Sequence, residues 1–304
     1  MKITFLIGSD GDTFLRDIIT WAVYDKKYDV RVHSMKEGGK AESIDWADIV
    51  WCEWCTDAAA MVSHLPGLKT KVIVRLHRWE AYTNWLKAIK WENIDRLLVV
   101  PNPYTKAQLK GMPVKTIDLP NAVNLKRFTI DKKKIASKKI AYIGSLNLKK
   151  NIPFLLQCFY ELLDFDGNYT LHIAGGLQDK VVENYCNHMT DVLELKGKIF
   201  FNGHQTDINE WLKDKSYIVC PSLVEGHPVA VMEGMACGLK PLIHSFPGAD
   251  TFFPPEYIFK SALDFVEKTS GPCEPEKYRN WVKENYSFER QAATIESVFE
   301  ELMR

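Results

Sequence analysis

The sequence predicts an α/β protein made of two doubly wound halves. Three observations carry this. Short Val-, Ile- and Leu-rich runs are apolar on both faces, as strands of a covered parallel sheet are. Helical stretches separate them. The alternation breaks once, over residues 111–139, and then resumes. At 304 residues the chain also exceeds the usual size of one domain.

In the first half the predicted strands are KITFLIG (2–8), DVRVHSM (29–35), DIVWCEW (48–54), KVIVRLH (71–77) and DRLLVVP (95–101). Between them run TFLRDIITWAVYDKK, TDAAAMVSHL, AYTNWLKAIKW and YTKAQLKG, read as helical. Pro113, Pro120, Asn121, Asn124 and the basic run DKKKIASKK then mark a domain junction, its lysines read as a solvated linker.

The second half opens with the strand KIAYIGS (139–145). Asn151 is placed to cap a helix with Pro153 in its first turn. Ile152, Leu155, Leu156, Phe159, Leu162 and Leu163 give that helix one apolar face. YTLHIAGG (169–176), IFFNGH (199–204) and YIVCPS (217–222) are further strands. PVAVMEGMA is a helix closed by Gly238, and LKPLIHS begins the next strand. Ser287 precedes a last helix with Ala292, Ile295, Val298, Phe299 and Leu302 on one stripe. The expected divisions are 1–130, 131–285 and a C-terminal helix, 286–304, that packs back on the first domain.

Composition narrows the function. Apolar residues make up 46% and charged residues 26%, the balance of a globular protein. Lys plus Arg and Asp plus Glu are both 39, so nothing draws the chain generally to nucleic acid or anionic membrane. The seven scattered cysteines read as reduced, buried thiols of a cytoplasmic protein, and Cys52-x-x-Cys55 as packing. MKITFLIGSDGD reads as a strand and turn rather than a signal peptide. No run approaches the roughly 18 apolar residues that span a bilayer.

The chemistry concentrates in CPSLVEGHPVAVMEGMACG, residues 220–238. A buried strand ends in a turn, Leu223 to His227, and Pro228 suits the first helical position. Backbone N–H groups near Val229, Ala230 and Val231 would favour an anion by roughly 0.3–1 kcal/mol. Glu225 lies in the turn. Glu233 lies one turn into the helix, leaning back toward it. Taken singly, each glutamate reads as an ordinary surface residue. Together they flank an anion site with two hydroxyl-binding carboxylates, which suits a ligand with central phosphates and polyhydroxyl ends.

EGHPVAVME resembles the Glu-x7-Glu motif of the retaining GT-B glycosyltransferases of family four, the group 1 type. Other segments resemble that family in the same order: IAYIGSLNLKKNIPFLLQCF, LHIAGG, FNGH and the interdomain LPNAVNLKRF. In the first half only RLH and the Gly8–Gly11 loop do so. The resemblance implies a GT-B fold, two Rossmann-like domains facing a central cleft that closes on the donor. It implies that Glu225 holds hydroxyls of the transferred sugar and that Gly226, His227, Pro228 and Val229 approach the sugar and diphosphate. Glu233 would hold the ribose, and Lys150 would neutralise the departing diphosphate. His77 would lie near the reacting sugar, and Gly8 and Gly11 would let the first loop approach phosphates.

Some positions depart from the family pattern. Ser145 stands where the family usually has Arg, with Lys149 or Lys139 as compensating cations. Ala122 and Asn124 replace Gly and Asp, and Asn151 replaces a Gly. The expected reaction is retaining, metal-independent transfer from a nucleotide-diphosphate-sugar, with no separate cofactor. The expected acceptor is a saccharide or lipid-linked saccharide in cell-surface polysaccharide synthesis, which allows peripheral contact at the inner membrane face. The alternative is a non-catalytic nucleotide- or sugar-binding protein on a degenerate fold. Trp46, Trp51, Trp54, Trp79, Tyr82 and Trp85 read as core, or else as an aromatic platform for a sugar or lipid carrier.

Overall fold

The computed structural model describes residues 1–8, 11–35, 41–131 and 136–304. Ser9 and Asp10 of the first loop and the junction lysines 132–134 lie outside the described residues. The chain forms two compact units, Met1–Ala122 with Phe288–Arg304, and Val123–Ser287. It therefore crosses between them at 122/123 and 287/288, whereas the sequence reading put these crossings near 130 and 285. The first shift has a clear cause: Val123 and Phe128 are buried in the core of the second unit.

Unit 1 holds β1 (Lys2–Ile7), β2 (Asp29–Ser34), β3 (Ile49–Glu53), β4 (Lys71–Leu76), β5 (Arg96–Val99) and β6 (Thr116–Asp118). They pair in the order β2-β1-β3-β4-β5-β6, every pair parallel. β6 lies inside the stretch read as junction. It is three residues long with no buried side chain, so it carries no apolar pattern. The stretch read as one helix over AYTNWLKAIKW is instead broken into short helical segments, 3-10 at Trp79–Tyr82, α at Trp85–Ala88 and 3-10 at Trp91–Asn93. Helix Phe288–Leu302 packs on one face of this sheet. Its Ile295, Val298 and Phe299 share a core with Phe5, Trp21 and Trp51.

Unit 2 holds β7 (Lys139–Ile143), β8 (Thr170–Ala174), β9 (Ile199–Gly203), β10 (Tyr217–Cys220), β11 (Lys240–His244) and β12 (Ile258–Phe259). Their order is β12-β11-β10-β7-β8-β9, again parallel throughout. Helix Ile152–Phe165 buries the predicted face on one side of the sheet, and helix Val229–Ala236 packs on the other. Gly234 lets that helix lie against β10, since a Cβ there would meet Ile218 at 2.8 Å.

In each unit the strand order reverses once, between β1 and β3 and between β7 and β10. In an open parallel sheet the loops beyond the carboxyl ends of those two strands diverge and leave a crevice for ligands. The unit 2 cluster described next sits at such a point, and the unit 1 cluster sits one strand over, on β3 and β4.

Candidate functional site

The unit 2 cluster is assembled by its backbone. After β7, Asn147 accepts the Lys150 N–H at 3.2 Å and shapes a short turn, Leu148–Lys150. Asn151 then takes the left-handed conformation, φ 54°, which asparagine tolerates better than most residues. This explains Asn at a position where the family has Gly. It also corrects the capping role expected of Asn151: its side chain makes no cap and instead donates to Pro221 O at 3.1 Å. Leu223 N–H donates to Lys149 O at 2.9 Å. These two bonds stitch the loop after β7 to the loop after β10.

The stitching brings Lys150 Nζ to 2.5 Å from Glu225 Oε1. Ser222 Oγ donates to the same oxygen at 2.7 Å. Burial pulls the Lys150 ammonium down, but the carboxylate beside it outweighs this and holds it above its ordinary range. The Cys220 thiol beneath is pushed up to about 12 by burial, and then by Glu225, so it stays protonated. His244 Nδ1 holds Ser222 O at 3.1 Å and fixes the loop from the other side.

The rim of this site is backbone. Gly144 and Gly175 have φ 154° and 149°, and a Cβ on Gly175 would lie 1.9 Å from Gly144 O. Ser145 accepts the Tyr142 hydroxyl at its carbonyl, 3.0 Å, and brings no charge. Of its two suggested substitutes, Lys139 is excluded. It stands at the opposite end of β7 and pairs with Asp214 at 2.7 Å. Lys149 is exposed in the loop beside Lys150.

Helix Val229–Ala236 starts one residue later than expected, with Pro228 as its cap. The donors there are fewer than the sequence suggested. Val229 N–H is taken by His227 O at 2.9 Å, and Val231 N–H by Pro228 O at 3.1 Å. His227 is buried between Phe252 and Tyr286, so its ring packs in the core. Gly226 stays partly exposed in the turn. Glu233 is half-buried, on the helix face away from Met232 and Met235. Asn124 accepts the Lys126 and Arg127 N–H groups, the turn an Asp would also make.

Unit 1 carries a second cluster that the sequence reading did not assemble. Glu53 and Arg75 are wholly buried, directly opposite one another on β3 and β4, with Arg75 Nη1 at 3.4 Å from Glu53 Oε1. His77 Nε2 lies 2.9 Å from Glu53 Oε1, and Trp51 Nε1 donates to Glu53 Oε2 at 2.8 Å. Arg75 also donates to Asn121 at 2.7 Å and to Phe14 O at 3.1 Å. Burial pushes the Glu53 carboxyl up, but Arg75, then His77 and Trp51, hold it below its usual range. Glu80, also fully buried, accepts the N–H groups of Cys55 and His77, and burial raises its carboxyl to about 7. The available signal was a charge inside each of two apolar strands.

Gly8 is confined in this region, where a Cβ would meet Thr56 Oγ1 at 2.8 Å. Gly11 has φ 89°, and its carbonyl accepts the Trp54 indole at 2.8 Å. The tryptophans do not form one platform. Trp51 is core, Trp54 covers His77 with ring centres 4.0 Å apart, and Trp46 lies under Arg31. Trp79 and Tyr82 are exposed. Cys52 and Cys55 are buried thiols, in keeping with packing.

Asp-x-Asp spacing occurs at Asp10–Asp12 and Asp164–Asp166. Asp10 lies outside the described residues, Asp12 pairs with Arg16, and Asp166 is held by Lys138 and Asn168. Among the described residues no helix is long and apolar enough to cross a membrane. A cavity of about 640 Å³ in unit 2 is lined by Ser216, Gly238 and Arg279, at the amino ends of β10 and β11 and away from Lys150 and Glu225.

Residues 126–259 match the family described as glycosyl transferases group 1. The UDP-Gal:alpha-D-GlcNAc-diphosphoundecaprenol alpha-1,3-galactosyltransferase of Escherichia coli is 24% identical over 191 residues, 57% of this chain and 48% of that protein. The chain thus spans about half the length of that curated relative. Among solved structures, Anabaena HepE in complex with UDP superposes with a TM-score of 0.80 at 12% identity, covering 99% of this chain and 100% of that one. A mutant of S. aureus TarM in complex with fondaparinux, alpha-GlcNAc-glycerol and UDP gives 0.68 at 17% identity, covering 83% and 55%. At these identities the likeness is one of fold.

Proposed function

We propose, on the premise that the chain carries a glycosyl transferases group 1 domain over residues 126–259, that it transfers a sugar from a nucleotide-diphosphate-sugar to an acceptor hydroxyl. The observation that carries this reading is the Lys150–Glu225 pair at the switch point of the unit 2 sheet. A backbone bond joins the two loops that carry this cation and carboxylate, beside Gly144 and Gly175, whose backbones pack too closely for a side chain.

The groups divide the work by charge. Lys150 meets the diphosphate and stabilises the negative charge that grows as it leaves. Glu225 accepts hydrogen bonds from hydroxyls of the transferred sugar, and Glu233 from the ribose. Gly226, His227, Pro228 and Val229 bring backbone close to the sugar and diphosphate, with Ser145 on the rim. Gly8 and Gly11 serve the phosphates from the first loop, and His77 serves the reacting sugar. The bond from the anomeric carbon to the diphosphate oxygen breaks and a bond to the acceptor oxygen forms. The acceptor's proton passes to the departing diphosphate, with retention at the anomeric carbon and no metal required.

A uridine diphosphate sugar is the donor to test first, given the names of the relatives. A lipid-linked saccharide is the acceptor class those names suggest, in cell-surface polysaccharide synthesis at the inner membrane face. The test follows UDP release from a panel of UDP-sugars, with and without acceptor. Glu225→Gln is expected to lower the transfer rate about 100-fold while UDP affinity stays within about twofold. Equal losses in both would reduce Glu225 to a support of the fold. Binding of UDP with no turnover of any donor would favour a non-catalytic binding protein, the reading to which uncharged Ser145 lends weight.

A further inference from the structure

The backbone around Ser222 is tied at three successive residues. Pro221 O accepts the Asn151 amide at 3.1 Å, Ser222 O is held by His244 Nδ1 at 3.1 Å, and Leu223 N–H donates to Lys149 O at 2.9 Å. Ser222 itself is buried, 1% exposed, so water does not compete for its hydroxyl. Glu225, three residues on, lies in the turn and receives two donors on one oxygen. Ser222 Oγ donates to its Oε1 at 2.7 Å, and Lys150 Nζ lies 2.5 Å from the same atom.

The hydrogen of Ser222 is committed. A hydroxyl carries one hydrogen and two lone pairs, and a carboxylate facing an ammonium only accepts. Ser222 therefore donates to Glu225 and turns its lone pairs the other way. There Cys220 Sγ lies 3.5 Å from Ser222 Oγ, closer than it lies to Glu225 Oε1, at 4.0 Å. Burial, and then Glu225, push this thiol up to about 12, so it keeps its hydrogen and donates. The three groups form one polarised row, S–H to O–H to carboxylate, in which each bond strengthens the next. Lys150 stands outside the row and is more open to solvent than Glu225, 29% against 11% exposed.

We propose that Ser222, backed by Cys220, is a positioning residue for Glu225. It keeps hold of the carboxylate when Lys150 exchanges Glu225 for the diphosphate. Glu225 then meets the sugar hydroxyls in a fixed orientation, although one of the two donors on its Oε1 has left. The exchange rests on the glycosyl-transfer reading, whereas the row of hydrogen bonds does not.

The experiment combines kinetics of UDP-sugar turnover, calorimetry with UDP, and infrared spectroscopy of the cysteine S–H stretch. Ser222→Ala is expected to lower kcat about tenfold with UDP affinity within about threefold, and Ser222→Thr to restore most of the rate. In a Glu225→Gln background, Ser222→Ala should cost less than about twofold further, because its effect passes through the carboxylate. The Cys220 band, assigned with Cys220→Ala or Cys220→Ser, should shift in Ser222→Ala as the thiol loses the hydroxyl. A Ser222→Ala protein that keeps its kcat would overturn the proposal. So would a loss as large in the Glu225→Gln background as in wild type, or equal losses of kcat and UDP affinity, the mark of a residue that only supports the fold. A Cys220 band that stays in place in Ser222→Ala counts against it in the same way. A band that shifts in a protein that turns over no donor upholds the row and sinks only the glycosyl-transfer reading.

Discussion

The two units pair a basic side chain with a glutamate in opposite ways. In unit 2 a lysine and a glutamate meet near the surface, their side chains 29% and 11% exposed. In unit 1 an arginine and a glutamate meet with neither exposed at all. The first pair can exchange one partner for a ligand at modest cost, because water and the other charge remain at hand. The second cannot, because either ion left alone would be buried without compensation. The difference separates a place that receives charge from a frame that holds a ring still.

The comparison breaks most visibly at Arg75. Arg75→Leu strands Glu53 in the core and should cost about 3–5 kcal/mol. Denaturant unfolding followed by tryptophan fluorescence reads this well, since Trp211 and Trp281 alone lie in unit 2. Adding Glu53→Leu to Arg75→Leu should recover part of the loss. A single substitution that costs nothing would mean the buried pair does not hold the frame.

Glu80 sharpens the same contrast through pH. Its folded carboxyl sits near 7, raised by burial above the ordinary 4.5. A raised folded value means the folded state binds the proton more tightly. The contribution is therefore full below pH 4.5 and is lost as pH rises through 7. The groups facing Glu80 are the Cys55 and His77 N–H donors, with Glu53 and Arg75 nearby. Glu80→Gln removes this titration, so its stability relative to wild type should climb between those limits by up to about 3 kcal/mol. Parallel stability curves across that range would show that Glu80 does not titrate there.

The smallest effect belongs to the open pair. Lys150→Ala should weaken UDP binding by about 1.5–3 kcal/mol, roughly 10- to 100-fold, and change stability little. Calorimetry with UDP checks it, with Lys139→Ala as the control that should leave affinity alone. Unchanged affinity in Lys150→Ala would remove this lysine from the donor site.

How far the sequence could be read follows from what each feature depends on. The strands of four to six residues announce themselves by apolar runs, and ten of the twelve among the described residues were anticipated. β6 and β12, three and two residues long, exist because neighbours supply their hydrogen bonds, so they leave no local mark. The Lys150 and Glu225 loops were legible because their chemistry is compressed into short motifs. The bond that joins them, Asn151 to Pro221 O, spans 70 residues and was not. Glu53 and Arg75 are 22 residues apart and become neighbours only through parallel register. Read one strand at a time, each looks like an isolated polar residue.

The double crossing of the chain also sets an order in time. The strands of unit 1 are made before unit 2, yet the core under Trp51 is closed by Ile295, Val298 and Phe299, on a helix made after unit 2. All of Val123–Ser287 emerges first. A nascent chain therefore carries one face of its first sheet uncovered while a whole second domain is made and folds. Of the two units, the one begun first is finished last.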